Sequence, residues 1–293
     1  MMNNRPHLLG TLVIALMSLS TCLNAQSSPV ELPSKKNFHL FILAGQSNMA
    51  GRGHIEEQDK VAHPRILALS ADREWIPAVA PIHFDKKQAG VGLAKSFALE
   101  MVEADPEITI GLIPAACGGS PIESWQPGGY HIQTHSPPYD DAISRTRTAL
   151  KDGVLKGILW HQGESDSRKD RARHYEKRLR ALVKRFRGEF NNPELPMVIG
   201  QLGQFPEKPW DEHRKRVDRA QQAVVQYFPQ MDFVSSNGLT PMEDNTHFDS
   251  KSLRIFGQRY ADAFLDASVV TKKFKSTARR TSGRSAKGRK IED

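Results

Sequence analysis

Residues 38–53 read FHLFILAGQSNMAGRG: an apolar run, Phe38-His39-Leu40-Phe41-Ile42-Leu43-Ala44, enters Gly45 and then the polar turn Gln46-Ser47-Asn48-Met49-Ala50-Gly51-Arg52-Gly53. An apolar run this short, closed by a glycine, has the length of a buried strand rather than of a helix. Ser47 then falls at a sharp strand-to-helix turn, where backbone N–H groups converge. A serine there can attack an ester as a nucleophile, or it can cap the helix, which is the commoner use of serine at that position. The turn is neither the G-x-S-x-G elbow nor a phosphate loop, because the glycines and the lysine those patterns require are missing or at other offsets.

Outward from this strand, β-like runs alternate with helical patterns. Further strands are expected at 65–69, 108–114, 155–160, 197–202 and 232–235, and helices at 92–103, 139–151, 168–190, 212–228 and 251–265. Tyr175, Leu179, Leu182, Val183 and Phe186 recur at steps of mostly three or four, one apolar stripe on a highly charged helix. Strands separated by helices of this length need crossover connections, so the fold class is α/β with a mostly parallel sheet covered on both faces. Ligands bind such sheets beyond the carboxyl ends of the strands. Chemistry is therefore expected after Ala44, Pro114, Trp160 and Leu202, completed by whatever follows Ser235.

Each of those places carries unusual residues. After the third strand, Cys117-Gly118-Gly119-Ser120-Pro121 pairs two glycines, which let the backbone approach a ligand and aim an N–H at a developing oxyanion; a plain tight turn is the alternative. After the fourth, His161-Gln162-Gly163-Glu164-Ser165-Asp166 puts polar side chains where sheet packing asks for none. A metal site from His161, Glu164 and Asp166 lacks a companion histidine cluster or cysteine pair, and no metal or other cofactor is expected. Near the end, Asp244-Asn245-Thr246-His247-Phe248-Asp249 offers a histidine to take a serine proton, with Asp244 and Asp249 as rival carboxylates to orient it.

Taken together, GQSNMAG (45–51), CGGSPIESW (117–125), WHQGESD (160–166) and DNTHF (244–248) resemble the carbohydrate acetylesterase family that includes sialate O-acetylesterases and acetylxylan esterases, within the SGNH-hydrolase superfamily. The resemblance extends over about residues 37–266 and implies a three-layer α/β/α sandwich that removes acetyl groups from sugars. It also implies Ser47 as nucleophile, His247 as base and Asp244 as its orienter, with an oxyanion hole at Ser47, Gly119 and Gln162. Gly118, His161 and Glu164 are expected to support these groups. Trp125, Tyr130, His131 and His135 are the candidate substrate rim. A lipid or small-ester hydrolase on the same scaffold, or an inactive carbohydrate-binding protein, are the alternatives.

Composition and the chain ends set the context. With 39% hydrophobic and 25% charged residues in 293, the chain has the make-up of a globular protein rather than of a disordered or fibrous one. The net charge of +8 invites a nucleic-acid reading, but nine Lys or Arg between Lys272 and Lys290 account for it. Setting aside that tail and Arg5, acidic and basic residues balance. The basic tail, 271–293, is too poor in apolar residues to order itself. It offers weak contacts to anionic polymers, but without stacking aromatics beyond Phe274 no specific nucleic-acid recognition. Residues 1–25, with Arg5 ahead of the apolar Leu8–Leu19 run, have the layout of a signal peptide and imply export to periplasm or medium. Lipoprotein processing at Cys22 is disfavoured by Thr21. A linker at 26–36 leads to the catalytic domain at 37–270, with no integral membrane segment in the mature chain. Cys117, left alone once Cys22 is removed, is expected to be a buried thiol.

Overall fold

The computed structural model describes residues 30–266. The expected signal peptide, the start of the expected linker and the basic tail lie outside the described residues. In chain order the regular elements are β1 (Phe38–Gly45), α1 (Ser47–Ala50), β2 (Ile66–Leu69), β3 (Trp75–Pro77), α2 (Ala94–Ala104), β4 (Thr109–Pro114) and α3 (Pro138–Ala149). There follow β5 (Val154–His161), α4 (Lys169–Ala172), α5 (Tyr175–Glu189), β6 (Met197–Gly200), α6 (Glu212–Tyr227), β7 (Met231–Val234) and a last helix, α7, over residues 250–266.

The seven strands form one sheet in the order β3-β2-β4-β1-β5-β6-β7, parallel throughout except for β3, which pairs antiparallel to β2. β1 is central, and its side chains divide between two cores as a strand's alternation requires. Phe38, Leu40, Ile42 and Ala44 face α3, α5 and α6, whereas Phe41 and Leu43 face α1, α2 and α7. The result is the α/β/α sandwich. With both faces of the sheet covered, its strands read as continuous apolar runs, which is why they were legible.

Two elements depart from the sequence expectation. The helix expected over 168–190 is two pieces: the N–H of Arg171 and that of His174 close tight turns on Arg168 and Arg171, and the chain restarts at Tyr175. The break lets Tyr175 bury completely and donate its hydroxyl to the Gln162 carbonyl. β3 was not expected. Only three residues long, with Ile76 exposed and a proline at its end, it has the composition of a loop, and its position at the sheet edge tolerates that proline. The final residues of the linker are also docked, since Val30 and Leu32 pack against the core.

The chain lays strands on one side of β1 first (β2 to β4) and on the other side afterwards (β5 to β7), so the direction of winding reverses beside β1. A crevice opens where such a reversal separates neighbouring loops. The loops after β1, β4 and β5 meet there.

Candidate active site

Gly45 ends β1 with φ of +133°, and a side chain there would run into the His161 carbonyl, so only glycine serves. The Cys117 N–H donates to the Gly45 carbonyl and the Gln46 N–H to His161, which ties the first loop to both neighbours. α1 starts at once with Ser47 and stops at Gly51, whose φ is +89°. Ser47 is 7% exposed, at the floor of a cleft of about 570 Å³.

Across this cleft the Ser47 hydroxyl lies 2.8 Å from His247 Nε2, and His247 Nδ1 lies 2.5 Å from Asp244 Oδ2. Asp244 also accepts the backbone N–H groups of Thr246 and His247. Burial pushes its carboxyl upward, but these donors and the ring outweigh that and hold it below its ordinary value. A charged carboxylate at Nδ1 fixes the proton there and leaves Nε2 free to accept from Ser47. Asp249 is elsewhere: it accepts from Thr240 Oγ1 and from the Ser252 N–H, at the start of α7.

Asn48 binds the histidine loop to the serine turn. Its Nδ2 donates to the Thr246 carbonyl (3.2 Å) and its Oδ1 accepts the Phe248 N–H (3.1 Å), so both neighbours of His247 are held by one buried side chain. Glu164 Oε1 takes a further bond from Asn48 Nδ2 at 2.6 Å. His161 is fully buried beside Phe248 and Phe256. Its Nε2 faces the Gln201 carbonyl, so that nitrogen carries the proton, and burial holds the ring below its ordinary pKa. His161 braces the site from behind, whereas Glu164 lies in the cleft lining and holds Asn48 from there.

The glycine pair divides its work. The Gly118 N–H donates to Asp85, whose carboxylate also pairs with Arg52 at 2.7 Å, both side chains almost wholly buried. The Gly119 N–H has no partner among the described residues, and φ of +84° turns this residue toward the cleft, where it lies in the lining. The Ser165 hydroxyl holds the Gly119 carbonyl from the other side.

Gln162, expected as an oxyanion donor, is placed differently. It is fully buried and does not line the cleft. Its Nε2 faces three acceptors: Asp166 Oδ2 at 2.6 Å, the Ser120 carbonyl at 3.1 Å and Gln46 Oε1 at 3.4 Å. The amide is committed below the site. Asp166, which also receives the Ile122 N–H, is pushed above its ordinary pKa by burial. Among the described residues no group of His, Cys, Asp and Glu side chains converges as a metal site.

The expected rim also needs correction, because none of its four residues lines the cleft. Trp125 is wholly buried against Trp160 and donates its indole N–H to Ser120. His131 is buried with Nε2 on the Gly118 carbonyl, and Tyr130 and His135 face solvent. The lining instead includes Gln46, Arg52, Lys86, Gln88, Gln133 and Arg168. Gln46, Asn48 and Arg52 share the polar turn of Ser47 and carried the same signal. Asp85 and Lys86 come from an irregular loop and Gln133 from a single 3-10 turn, none with a periodic signal.

Residues 37–266 match the family model described as "Carbohydrate esterase, sialic acid-specific acetylesterase". The chain belongs to this family. Its activity is that of a serine-type carbohydrate O-acetylesterase, releasing acetate. Among its relatives is the probable carbohydrate esterase At4g34215 of Arabidopsis thaliana, 33% identical over 251 residues that make up 77% of this chain and 90% of the relative. The X-ray structure of that plant protein superposes with a TM-score of 0.70, covering 80% of this chain and 99% of the plant chain at 30% identity. A probable 9-O-acetyl-N-acetylneuraminic acid deacetylase of Escherichia coli is 25% identical over 218 residues, 59% of this esterase and 65% of the relative. The fold is shared with a carbohydrate acetylesterase from Xanthomonas citri, at a TM-score of 0.59 and 20% identity over 78% of this chain and 55% of the other. No helix of the described residues is long and apolar enough to cross a membrane.

Proposed function

We propose that this esterase deacetylates O-acetylated sugars of the acetylxylan or sialic acid type through Ser47, His247 and Asp244. The observation that carries the assignment is the continuous line of contacts from Ser47 Oγ through His247 to Asp244 at the floor of a cleft. The Ser47 hydroxyl attacks the acetyl carbonyl while its proton passes to His247 Nε2, and Asp244 stabilises the imidazolium. The new Oγ–C bond produces a tetrahedral anion. The N–H groups of Ser47 and Gly119 are the donors for that charge, a reading supported by their having no partners among the described residues and by both residues lining the cleft. His247 then returns the proton to the sugar oxygen as its bond to the acetyl carbon breaks. Water, deprotonated by His247, attacks the acetyl-serine and releases acetate.

The lining supports a sugar rather than an acyl chain. Gln88, Gln133, Lys86 and Arg168 offer hydrogen bonds to hydroxyls, whereas Met242 is the single apolar side chain among the lining residues. Export of the mature protein is part of this reading and rests on the Arg5 and Leu8–Leu19 layout of the N-terminus.

The test is turnover of acetylated xylan, O-acetylated sialic acid, and small acetyl and octanoyl esters by the native enzyme and by Ser47→Ala. Native acetate release from a glycan should be lost by at least about 10³-fold in the variant at unchanged folding. Near-normal turnover by Ser47→Ala would remove the nucleophile assignment. A preference for octanoyl over acetyl esters of roughly tenfold or more in kcat/KM would remove the sugar assignment.

A further inference from the structure

With Gln162 committed below the site, the side-chain donor that the tetrahedral anion would meet must come from another residue. Gln46 directly precedes Ser47 and lines the cleft, although the residue as a whole is only 3% exposed. The oxygen of its amide is held from below, where Oε1 accepts the Ser165 N–H at 3.3 Å and Gln162 Nε2 at 3.4 Å. Both partners are donors, so this end of the amide must be the oxygen, and the nitrogen faces the other way. Gln46 Nε2 has no hydrogen-bond partner among the described residues, yet it is not among the buried polar atoms left unpaired. Its N–H groups therefore reach solvent, and the solvent they reach is that of the cleft.

A relay fixes this orientation. Asp166 accepts from Gln162 Nε2, Gln162 Nε2 in turn faces Gln46 Oε1, and the Gln162 carbonyl is held by Tyr175 and Gln221. Every side chain of the relay behind Gln46 is buried, so the amide is oriented before substrate arrives. A neutral donor of this kind stabilises charge as it forms and does not reorganise to do so.

The geometry points to Gln46 as a catalytic residue whose Nε2 donates to the acetyl oxygen of the tetrahedral intermediate, together with the N–H groups of Ser47 and Gly119, while Gln162 and Asp166 act as positioning residues behind it. The inference rests on the reading of Ser47 as nucleophile. It changes no covalent step: the carbonyl electron pair moves onto oxygen during attack and returns on collapse, and Gln46 only hydrogen-bonds that oxygen.

Gln46→Ala and Gln46→Glu separate this role from packing. The glutamate keeps the shape and an oxygen for Ser165 but replaces the donating nitrogen with an acceptor, so it stands in if the alanine variant does not fold. With a small acetyl ester, kcat should fall about 10²–10³-fold with KM little changed. A boronic acid that forms a tetrahedral adduct on serine should bind more weakly by a similar factor. A folded Gln46 variant that keeps kcat and boronate affinity within about threefold of native, while Ser47→Ala is inactive, overturns the Gln46 role and leaves the nucleophile standing. Retained activity in Ser47→Ala overturns the underlying reading instead. A change confined to KM would make Gln46 a substrate contact and would equally overturn the inference.

Discussion

The floor and the lip of the cleft are built on opposite plans. Beneath Ser47, the side chains of Gln162, His161, Ser120 and Asp166 have no solvent exposure at all. They come from two loops that the parallel sheet holds side by side. At the lip, the side chain of His247 is 23% exposed and that of Asp244 48% exposed, on a loop far along the chain. The floor is cross-tied by buried hydrogen bonds, Gln162 to Asp166 and the Ser120 carbonyl, Trp125 to Ser120 and His161 to the Gln201 carbonyl, so loss of one member strands another. The lip is held by a handful of bonds: Asp244 to His247, Asn48 to Thr246 and Phe248, and the burial of Phe248. Substitutions in the floor should mainly cost stability, and substitutions at the lip should mainly cost turnover.

The sharpest challenge to this contrast is Asp244→Asn. The amide is close in shape but no longer fixes the proton on Nδ1, so kcat should fall on the order of 10³-fold, with only a modest fall in melting temperature near neutral pH as the charged carboxylate's bonds are lost. Acid melting gives a second readout. The carboxyl of Asp244 is held below its ordinary value of 3.8, so in the folded state it keeps its charge at pH values where the unfolded chain protonates. Its contribution to stability is therefore complete above about pH 4, and it is lost as pH falls through the depressed folded value. Native protein should lose more stability than Asp244→Asn on acidification below pH 4. Equal acid sensitivity would mean that the Asp244 bonds do not persist in solution. In Asp249→Ala, by contrast, loss of the helix cap should cost about 1 kcal/mol of stability with kcat nearly native. A larger kcat loss there than in Asp244→Asn would reverse the assignment.

The same contrast explains what the sequence disclosed. Strands buried on both faces are continuous apolar runs, and Ser47, Gly119 and His247 fall after strands or in the late polar turn where a parallel sheet gathers its ligands. β3 carried no such signal, because three half-exposed edge residues do not differ from a loop. The course of side chains beyond Cβ was not legible either. Gln162 and Gln46 both follow strands and are both amides, and only the three acceptors around Gln162 Nε2 show which one is spent. Trp125 and His131 looked like rim residues because aromatic and histidine side chains in a glycine-rich loop suit a sugar. In the structure they hold Ser120 and the Gly118 carbonyl from beneath.

Asn48→Ala should have the next largest effect. It removes the two bonds that flank His247 and leaves Glu164, otherwise nearly buried, without a donor. If the lip depends on so few restraints, a shift of His247 by a fraction of an ångström should lower kcat by up to about 10²-fold with KM nearly unchanged. Stability loss with normal kcat would place Asn48 with the floor.

Trp125→Phe tests the floor directly. A smaller aromatic ring still packs against Trp160, but Ser120 Oγ loses its indole donor in a site with no access to water. A cost of about 1–2 kcal/mol in stability is expected, with KM for an acetylated sugar unchanged. A selective rise in KM would return Trp125 to the substrate rim.

The smallest effect is expected of the basic tail, which falls outside the described residues. Nine cationic side chains with few apolar neighbours give residues after Thr271 long-range attraction to anions but nothing with which to dock on a core. Truncation after Val270 should therefore leave turnover of a neutral acetyl ester within about twofold, because a segment this poor in apolar residues cannot order itself against a core. An anionic acetylated polymer separates the two sources of positive charge. Lys86 and Arg168 line the cleft and make no ion pair with a carboxylate among the described residues. Their attraction survives truncation, so a salt-dependent KM should persist in the shortened enzyme, reduced in slope by whatever the tail contributed. Loss of all salt dependence on truncation would assign the attraction to the tail alone. A tenfold fall in turnover of the neutral ester, roughly 1.4 kcal/mol in transition-state stabilisation, would show that the tail completes the site and that the division into floor and lip omits a third part.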